Sequence, residues 1–286
     1  MMLLPGSVMD KGEIVKVKQK KETTKKEKRP VVGIFSMTSC SGCQIRMLDM
    51  EDWLIDLFKL CNVVHFPLVK KHEHADHYDI AIIEGAVTTE DELTEVKQIR
   101  EKSSFVIALG TCATYGGIPS IKDYGYREEI EKTVYPEPVP FIHNLGVCGV
   151  YPHIQIDYFL RGCPPDKDEI KRVLLDLING KKSPKNFDDP VCAECRAKGN
   201  DCFLQKGQLC MGPVTYSGCG ALCPSMGYLC YGCRGPLDDA NVHSLIHIFE
   251  QCHVSEDDIR RMFIKFAGTS KKFREAHNLC KITAVK

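Results

Sequence analysis

The chain has no apolar run long enough to cross a bilayer; its apolar segments, such as Ile80 to Ile83, have strand length. The start, MMLLPGSVMD, lacks the apolar stretch of about 7–15 residues that marks a secretory signal. Arg29 is followed by Pro30, so no twin arginine precedes the fold either. These absences predict a chain with no membrane span that stays in the cytoplasm. Net charge is also missing: 38 Lys and Arg balance 38 Asp and Glu, which leaves no overall electrostatic footprint for nucleic acid or an anionic membrane. No G-x-G-x-x-G or Walker glycine–lysine pattern supplies a phosphate loop. Cysteine, by contrast, is abundant, with sixteen in 286 residues. That is too many for an ordinary cytosolic enzyme, yet 286 residues can bury a core without disulfide staples. In a reducing compartment so many thiols are best read as thiolate ligands of metal.

Residues 1–30 read as a basic, disordered arm: 11–29 carry nine basic and three acidic side chains and almost no large apolar residue. From Val31 short β-branched runs alternate with helical periodicity. VVGIF (31–35), NVVHF (62–66), DIAII (79–83) and FVIAL (105–109) read as strands, 44–60 and 89–102 as helices. Ile154, Ile156, Tyr158 and Leu160 share one parity and suggest another strand, followed by a helix to about Ile178 with Asp166 and Glu169 as a capping pair. Such alternation predicts an α/β fold over 31–180, a doubly wound parallel sheet resembling flavodoxin. Composition changes near Lys181, and residues 192–233 pack eight cysteines into 42 positions with little hydrophobic periodicity. A stretch so poor in apolar surface needs something bound to order it. Residues 181–286 thus read as a loop-rich cysteine region, with two short terminal helices near 240–251 and from Ser255.

Four cysteines share one context. Cys40 and Cys43 follow the first strand (GIFSMTSCSGC), Cys112 follows FVIAL (ALGTCATYGG), and Cys163 follows IQIDYFL (RGCPP). In a parallel sheet, strand ends of one sense lie along one edge, where ligands of this fold class collect, so these thiols should converge. A 4Fe–4S cube needs four inward thiolates, and nearby glycines let backbone approach its sulfides. Each piece alone is weak, since an isolated C-x2-C also suits a redox dithiol or half a zinc site. Cys148 (GVCGV) rivals Cys163 for fourth place; Cys163 is preferred because it directly follows a strand and precedes proline, as ferredoxin runs end. The later cysteines are spaced C-x2-C-x6-C-x7-C and, eight residues on, C-x3-C-x6-C-x2-C. Eight ligands suit two four-cysteine sites: Cys192, Cys195, Cys202 and Cys210, then Cys219, Cys223, Cys230 and Cys233. The run contains no histidine, which favours clusters, while two Cys-only zinc ribbons and ligand exchange between neighbouring clusters stay open.

The motifs TSCSGCQ (38–44), IEGAV (83–87), GTCATYGGIP (110–119), GCPPD (162–166), CMGPVTYSGC (210–219) and CYGCRGP (230–236) together resemble the small subunit of nickel–iron hydrogenases. The resemblance runs from about Val31 to Leu237. It implies a flavodoxin-like domain whose proximal cluster, on Cys40, Cys43, Cys112 and Cys163, faces a nickel–iron centre on a separate large subunit. Glu84 matches a family glutamate near that cluster, and reads equally well as a strand-end carboxylate capping backbone. By motif order the resemblance puts a medial cluster on Cys219, Cys223, Cys230 and Cys233, and a distal one on Cys192, Cys195, Cys202 and Cys210, giving three 4Fe–4S clusters. Periplasmic relatives have histidine at the position of Cys192 and often lack the ligand Cys223 supplies. These departures resemble the cytoplasmic branch: the delta subunit of sulfhydrogenases, or the subunit of non-deazaflavin-reducing hydrogenases that feeds heterodisulfide reductase. The related quinone-reductase subunit uses adjacent cysteines, and this chain has no Cys-Cys pair. The implied role is electron conduction between the large subunit, where H2 is split or made, and an acceptor subunit: a 2Fe–2S or flavin protein, or heterodisulfide reductase. No catalytic acid, base or nucleophile is then required of this chain.

Two further classes, a zinc-ribbon binding module and a flavin or nucleotide binder, each explain only one half of the chain; an iron–sulfur subunit of another oxidoreductase complex is the nearest alternative. His72, His74 and His77 (KHEHADH) resemble a metal patch but read better as a polar connection. Cys61, Cys148, Cys252 and Cys280 remain as free thiols, and Trp53 reads as packing. Tyr216 and the glycines around Cys219 read as shaping the cluster pocket.

Overall fold

The structure is a computed structural model, and it describes residues 29–71, 73, 75–125, 127–135, 137, 145–181, 184 and 186–279. The arm falls almost wholly outside them. Five parallel strands form one sheet: β1 (Val31–Ser36), β2 (Asn62–His65), β3 (Tyr78–Glu84), β4 (Ser103–Leu109) and β5 (Tyr158–Leu160). Their order is β2-β1-β3-β4-β5, the doubly wound order of flavodoxin-type sheets, with a switch point between β1 and β3.

The two-residue period of the strands sorts their side chains onto two faces. Val32, Ile34, Ile80, Ile82, Ile107 and Leu109 pack with Met47, Trp53, Leu57, Ile170, Val173 and Leu174. These come from α1 (Gly42–Leu48), α2 (Asp52–Leu60) and α6 (Lys167–Ile178). Phe35, Ala81, Ile83, Val106 and Ala108 face Val96 and Ile99 of α3 (Glu90–Glu101). The α3 helix opens with a full capping box between Thr89 and Glu92. After β4 come α4 (Gly110–Tyr115), a 3₁₀ helix over Ile118–Tyr124 and α5 (Arg127–Val134).

Four expectations need correcting. The helix expected over 44–60 is two helices: the chain turns at Glu51, at φ 46°, and at the end of the first helix Lys167 meets the Asp49 carbonyl at 2.8 Å and its carboxylate at 2.6 Å. Only Tyr158–Leu160 of the strand expected from Ile154 pairs, with Ile107 to Leu109 of β4; just before it the Asp157 carboxylate takes the Val106 N–H at 2.7 Å, where a ladder bond would otherwise form. Asp166 caps α6 by accepting from the Asp168 and Glu169 N–H groups, but the Glu169 side chain does not return the bond and pairs elsewhere. Finally, the cysteine region does have an apolar core. Met211, Val214, Tyr216 and Leu237 bury themselves against Leu245, Phe249, Ile259, Phe263 and Phe273. The latter group sits on three terminal helices rather than two: α9 (Val242–Gln251), α10 (Glu256–Ile264) and α11 (Lys271–Leu279). Within the region lie α7 (Val191–Ala197) and α8 (Leu222–Ser225).

The halves are joined by polar contacts. Tyr124 donates to the Gly268 carbonyl at 2.6 Å, Thr269 to that of Tyr115 at 2.7 Å, and the Thr111 hydroxyl to that of Cys233.

Candidate metal centres

Three of the first four cysteines follow their strands directly at the carboxyl edge of the sheet. Cys40 lies in the turn after β1, Ser41 takes a left-handed conformation at φ 58°, and Cys43 enters the first turn of α1. Cys112 sits in α4 after β4, and Cys163 just past β5. The backbone presses close to their sulfurs. A Cβ at Gly110 would come within 2.4 Å of Cys43 Sγ, and one at Gly117 within 2.5 Å of Cys112 Sγ, both at positive φ, so glycine is required at each. Burial pushes the Cys43 thiol far up and those of Cys112 and Cys163 to about 11, and the charges of neighbouring cysteines and Glu84 add to this. These mutual effects take in all four residues, so the structure brings them together. A thiol so placed gives up its proton when a metal replaces it.

Glu84 is 1% exposed at the end of β3. It accepts the Cys43 N–H at 2.9 Å and Gln44 Nε2 at 2.7 Å. It therefore does cap backbone, while lying close enough to raise three of the thiols. The rival Cys148 faces elsewhere: its Sγ lies 3.0 Å from His153 Nε2, and it is not among the groups that perturb Cys43, Cys112 or Cys163.

In the cysteine region Cys192 is pushed up to about 11 by burial and then by Cys210, Cys195 and Cys202. A Cβ at Gly212 would sit 3.1 Å from Cys192 Sγ and 3.6 Å from Cys210 Sγ. Cys219 is likewise raised to about 11, by burial and then Cys233 and Glu194. Cys230 is raised by burial with Cys210, Cys233 and Cys219, and Cys233 by burial with Cys163 and Cys223. Backbone N–H groups of Gly212, Ala221 and Gly232 donate to Cys210, Cys219 and Cys230. The sets of cysteines adjoin one another: the Cys163 backbone lies near enough to act on the Cys233 thiol, and the Cys230 N–H donates to Cys210 Sγ at 3.4 Å.

Three charged residues beside these centres are ones the cysteine spacing does not point to: Arg234, Glu169 and Glu194. The Glu194 carboxylate receives the Gly218 N–H at 2.8 Å and the Ala221 N–H at 3.1 Å, tying α7 to the loop around Cys219. Each charge stands inside or beside a cysteine motif, which is the only available hint. Elsewhere, Trp53 is core packing, Cys61 is buried, and Cys252 faces the Leu204 carbonyl. His77 bonds Ser104 at 2.8 Å, and His72, His74 and Cys280 lie outside the described residues. Tyr216 is buried in the core beneath Arg161, whose guanidinium lies 4.1 Å from the ring centre. Among the described residues no helix is long and apolar enough to cross a membrane.

Comparison with known proteins shows what the chain is similar to. The family described as NADH ubiquinone oxidoreductase, 20 Kd subunit, matches residues 40–177. The delta subunit of sulfhydrogenase 2 of Pyrococcus furiosus is 34% identical over 81% of this chain and 97% of its own length. The vhu G polypeptide of the F420-non-reducing hydrogenase of Methanococcus voltae is 33% identical over 73% of this chain and 83% of its own. An NAD+-reducing [NiFe]-hydrogenase structure in the H2-reduced state shares the fold at a TM-score of 0.51 and 24% identity, covering 55% of this chain and 95% of the matched one. The chain belongs to the hydrogenase small-subunit family, in the group of the sulfhydrogenase delta and F420-non-reducing hydrogenase vhu G polypeptides, and is an oxidoreductase subunit.

Proposed function

We propose that the chain conducts electrons through three 4Fe–4S clusters in a cytoplasmic nickel–iron hydrogenase. Cys40, Cys43, Cys112 and Cys163 would hold the proximal cluster, Cys219, Cys223, Cys230 and Cys233 the medial, and Cys192, Cys195, Cys202 and Cys210 the distal. The basic arm would cover 1–30, the proximal-cluster domain 31–180 and the two-cluster domain 181–286. What supports this reading is that Cys40 and Cys43, Cys112 and Cys163 follow β1, β4 and β5 at one edge of the sheet, and that the Cys230 N–H donates to Cys210 Sγ at 3.4 Å, linking the two later sets.

The donor set fits such clusters. Zinc–sulfur bonds of about 2.3 Å hold four thiolates close around one point. Among the described residues no three Cys, His, Asp or Glu side chains close on such a point. Glycine and main-chain N–H groups line the sulfurs, as clusters whose potentials are set by hydrogen bonding require. When bound, the clusters supply one-electron redox chemistry. This chain's part is to fix their spacing, exclude water and offer N–H donors.

Exposed Ile45, two residues after Cys43, and exposed Ile118, beside Cys112, give this edge an apolar character suited to a large subunit carrying the nickel–iron centre. An acceptor subunit, a 2Fe–2S or flavin protein or heterodisulfide reductase, would dock nearer the distal site. The test is the content of iron, sulfide, nickel and zinc per chain in the natural complex, purified anaerobically. About twelve irons on this subunit with nickel elsewhere is expected; zinc as the sole metal would overturn the reading.

A further inference from the structure

Arg234 is one of the most deeply buried side chains of the protein, at 2% exposure, and conduction as described makes no use of it. A buried guanidinium is costly unless its charge and donors are met. Nη1 donates to Glu169 Oε2 at 2.7 Å and to the Arg161 carbonyl at 2.6 Å, and Nη2 donates to Glu169 Oε1 at 3.2 Å. Glu169, on α6, thus holds from the sheet half a residue of the cysteine half. Burial opposes the charge of Arg234, but Glu169 and the cysteines at 219 and 233 hold it above its ordinary pKa.

Satisfaction is incomplete. Arg234 Nε is buried and finds no acceptor among the described residues. The residue follows Cys233 in sequence, and its Nη2 crowds the loop before Cys219, where a Cβ at Gly218 would lie 2.5 Å away. An unpaired donor between two thiol-bearing loops points to an acceptor belonging to whatever those thiolates bind.

We propose that Arg234 tunes the medial cluster: its fixed positive charge raises that cluster's reduction potential, and its Nε–H donates to a sulfur of the bound cluster. This rests on the cluster reading above. Reduction adds one negative charge to a cluster, so a neighbouring cation favours the reduced form. Glu194 acts in the opposite sense, because its Oε2 lies 3.9 Å from Cys219 Sγ and its negative charge favours the oxidised form. The two charges oppose each other on one site.

The experiment is a redox titration followed by electron paramagnetic resonance on the complete anaerobic complex. It compares the unmodified protein with Arg234→Gln, Arg234→Lys, Glu194→Gln and the double variant Arg234→Gln/Glu169→Gln, counting iron in each. Arg234→Gln should move one cluster midpoint to more negative potential and leave the others in place. Glu194→Gln should move the same midpoint to more positive potential, and Arg234→Lys should fall between Arg234→Gln and the unmodified protein. The double variant leaves no unpaired buried carboxylate, so it reports a smaller negative shift even where Arg234→Gln does not assemble. A full iron complement with that midpoint unmoved, or Arg234→Gln and Glu194→Gln shifting it the same way, overturns the proposal; a purely structural arginine would give the first result. Absence of cluster signals in the unmodified complex would overturn the underlying reading instead.

Discussion

The sheet half and the cysteine half bind with the same side chain but support it differently. Cys40, Cys43, Cys112 and Cys163 hang from strands whose ladders close without any bound group, and two apolar layers lock those strands. Residues 192–233 have two short helices, two 3₁₀ turns and a core completed only by α9 to α11. On the proposed reading the first site is built before its cluster arrives, whereas the other two, whose apolar core is completed from outside the stretch, lean more on their clusters for order.

Three experiments press on this difference. The largest effect should follow removal of metal from the complex by an anaerobic chelator. Amide exchange should then rise toward unfolded rates across 192–233 while β1, β3 and β4 keep their protection, and equal loss in both halves would break the comparison. A smaller effect is expected from Phe263→Ala. This ring is buried edge-on against Phe273 at 5.4 Å between centroids, and its loss should cost about 3–5 kcal/mol in denaturant unfolding, releasing iron from the cysteine half first. The smallest is Thr89→Ala, which removes the cap of α3 at a cost of about 1 kcal/mol and should leave the iron content unchanged. Iron loss in that variant would mean that the sheet-held site leans on its surroundings more than the ladders suggest.

Strands with continuous β-branched runs were legible, and with them the sheet edge that gathers Cys40, Cys43, Cys112 and Cys163. The break between α1 and α2 was not, because apolar periodicity continues across Asp49 to Glu51 while the chain turns at Glu51 with a positive φ that its residue type does not announce. Ile154 and Ile156 kept strand parity because they are packed, not because they are paired. The core of the cysteine region was hidden for a related reason. Met211, Val214 and Tyr216 have no periodic partners nearby and bury themselves against helices that come later in the chain. Glu169 reads as a local cap partner because sequence shows only near neighbours, whereas its true partner, Arg234, is 65 positions on.

The proposed conduction depends most directly on three separate groups of four cysteines. Replacing one ligand per group, as in Cys43→Ser, Cys230→Ser and Cys192→Ser, and counting iron and cubane signals in the anaerobic complex tests this. Each variant should lose a different signal, with about a third of the iron at most. Cys230→Ser and Cys192→Ser extinguishing the same signal, or any of the three leaving every signal intact, would contradict it.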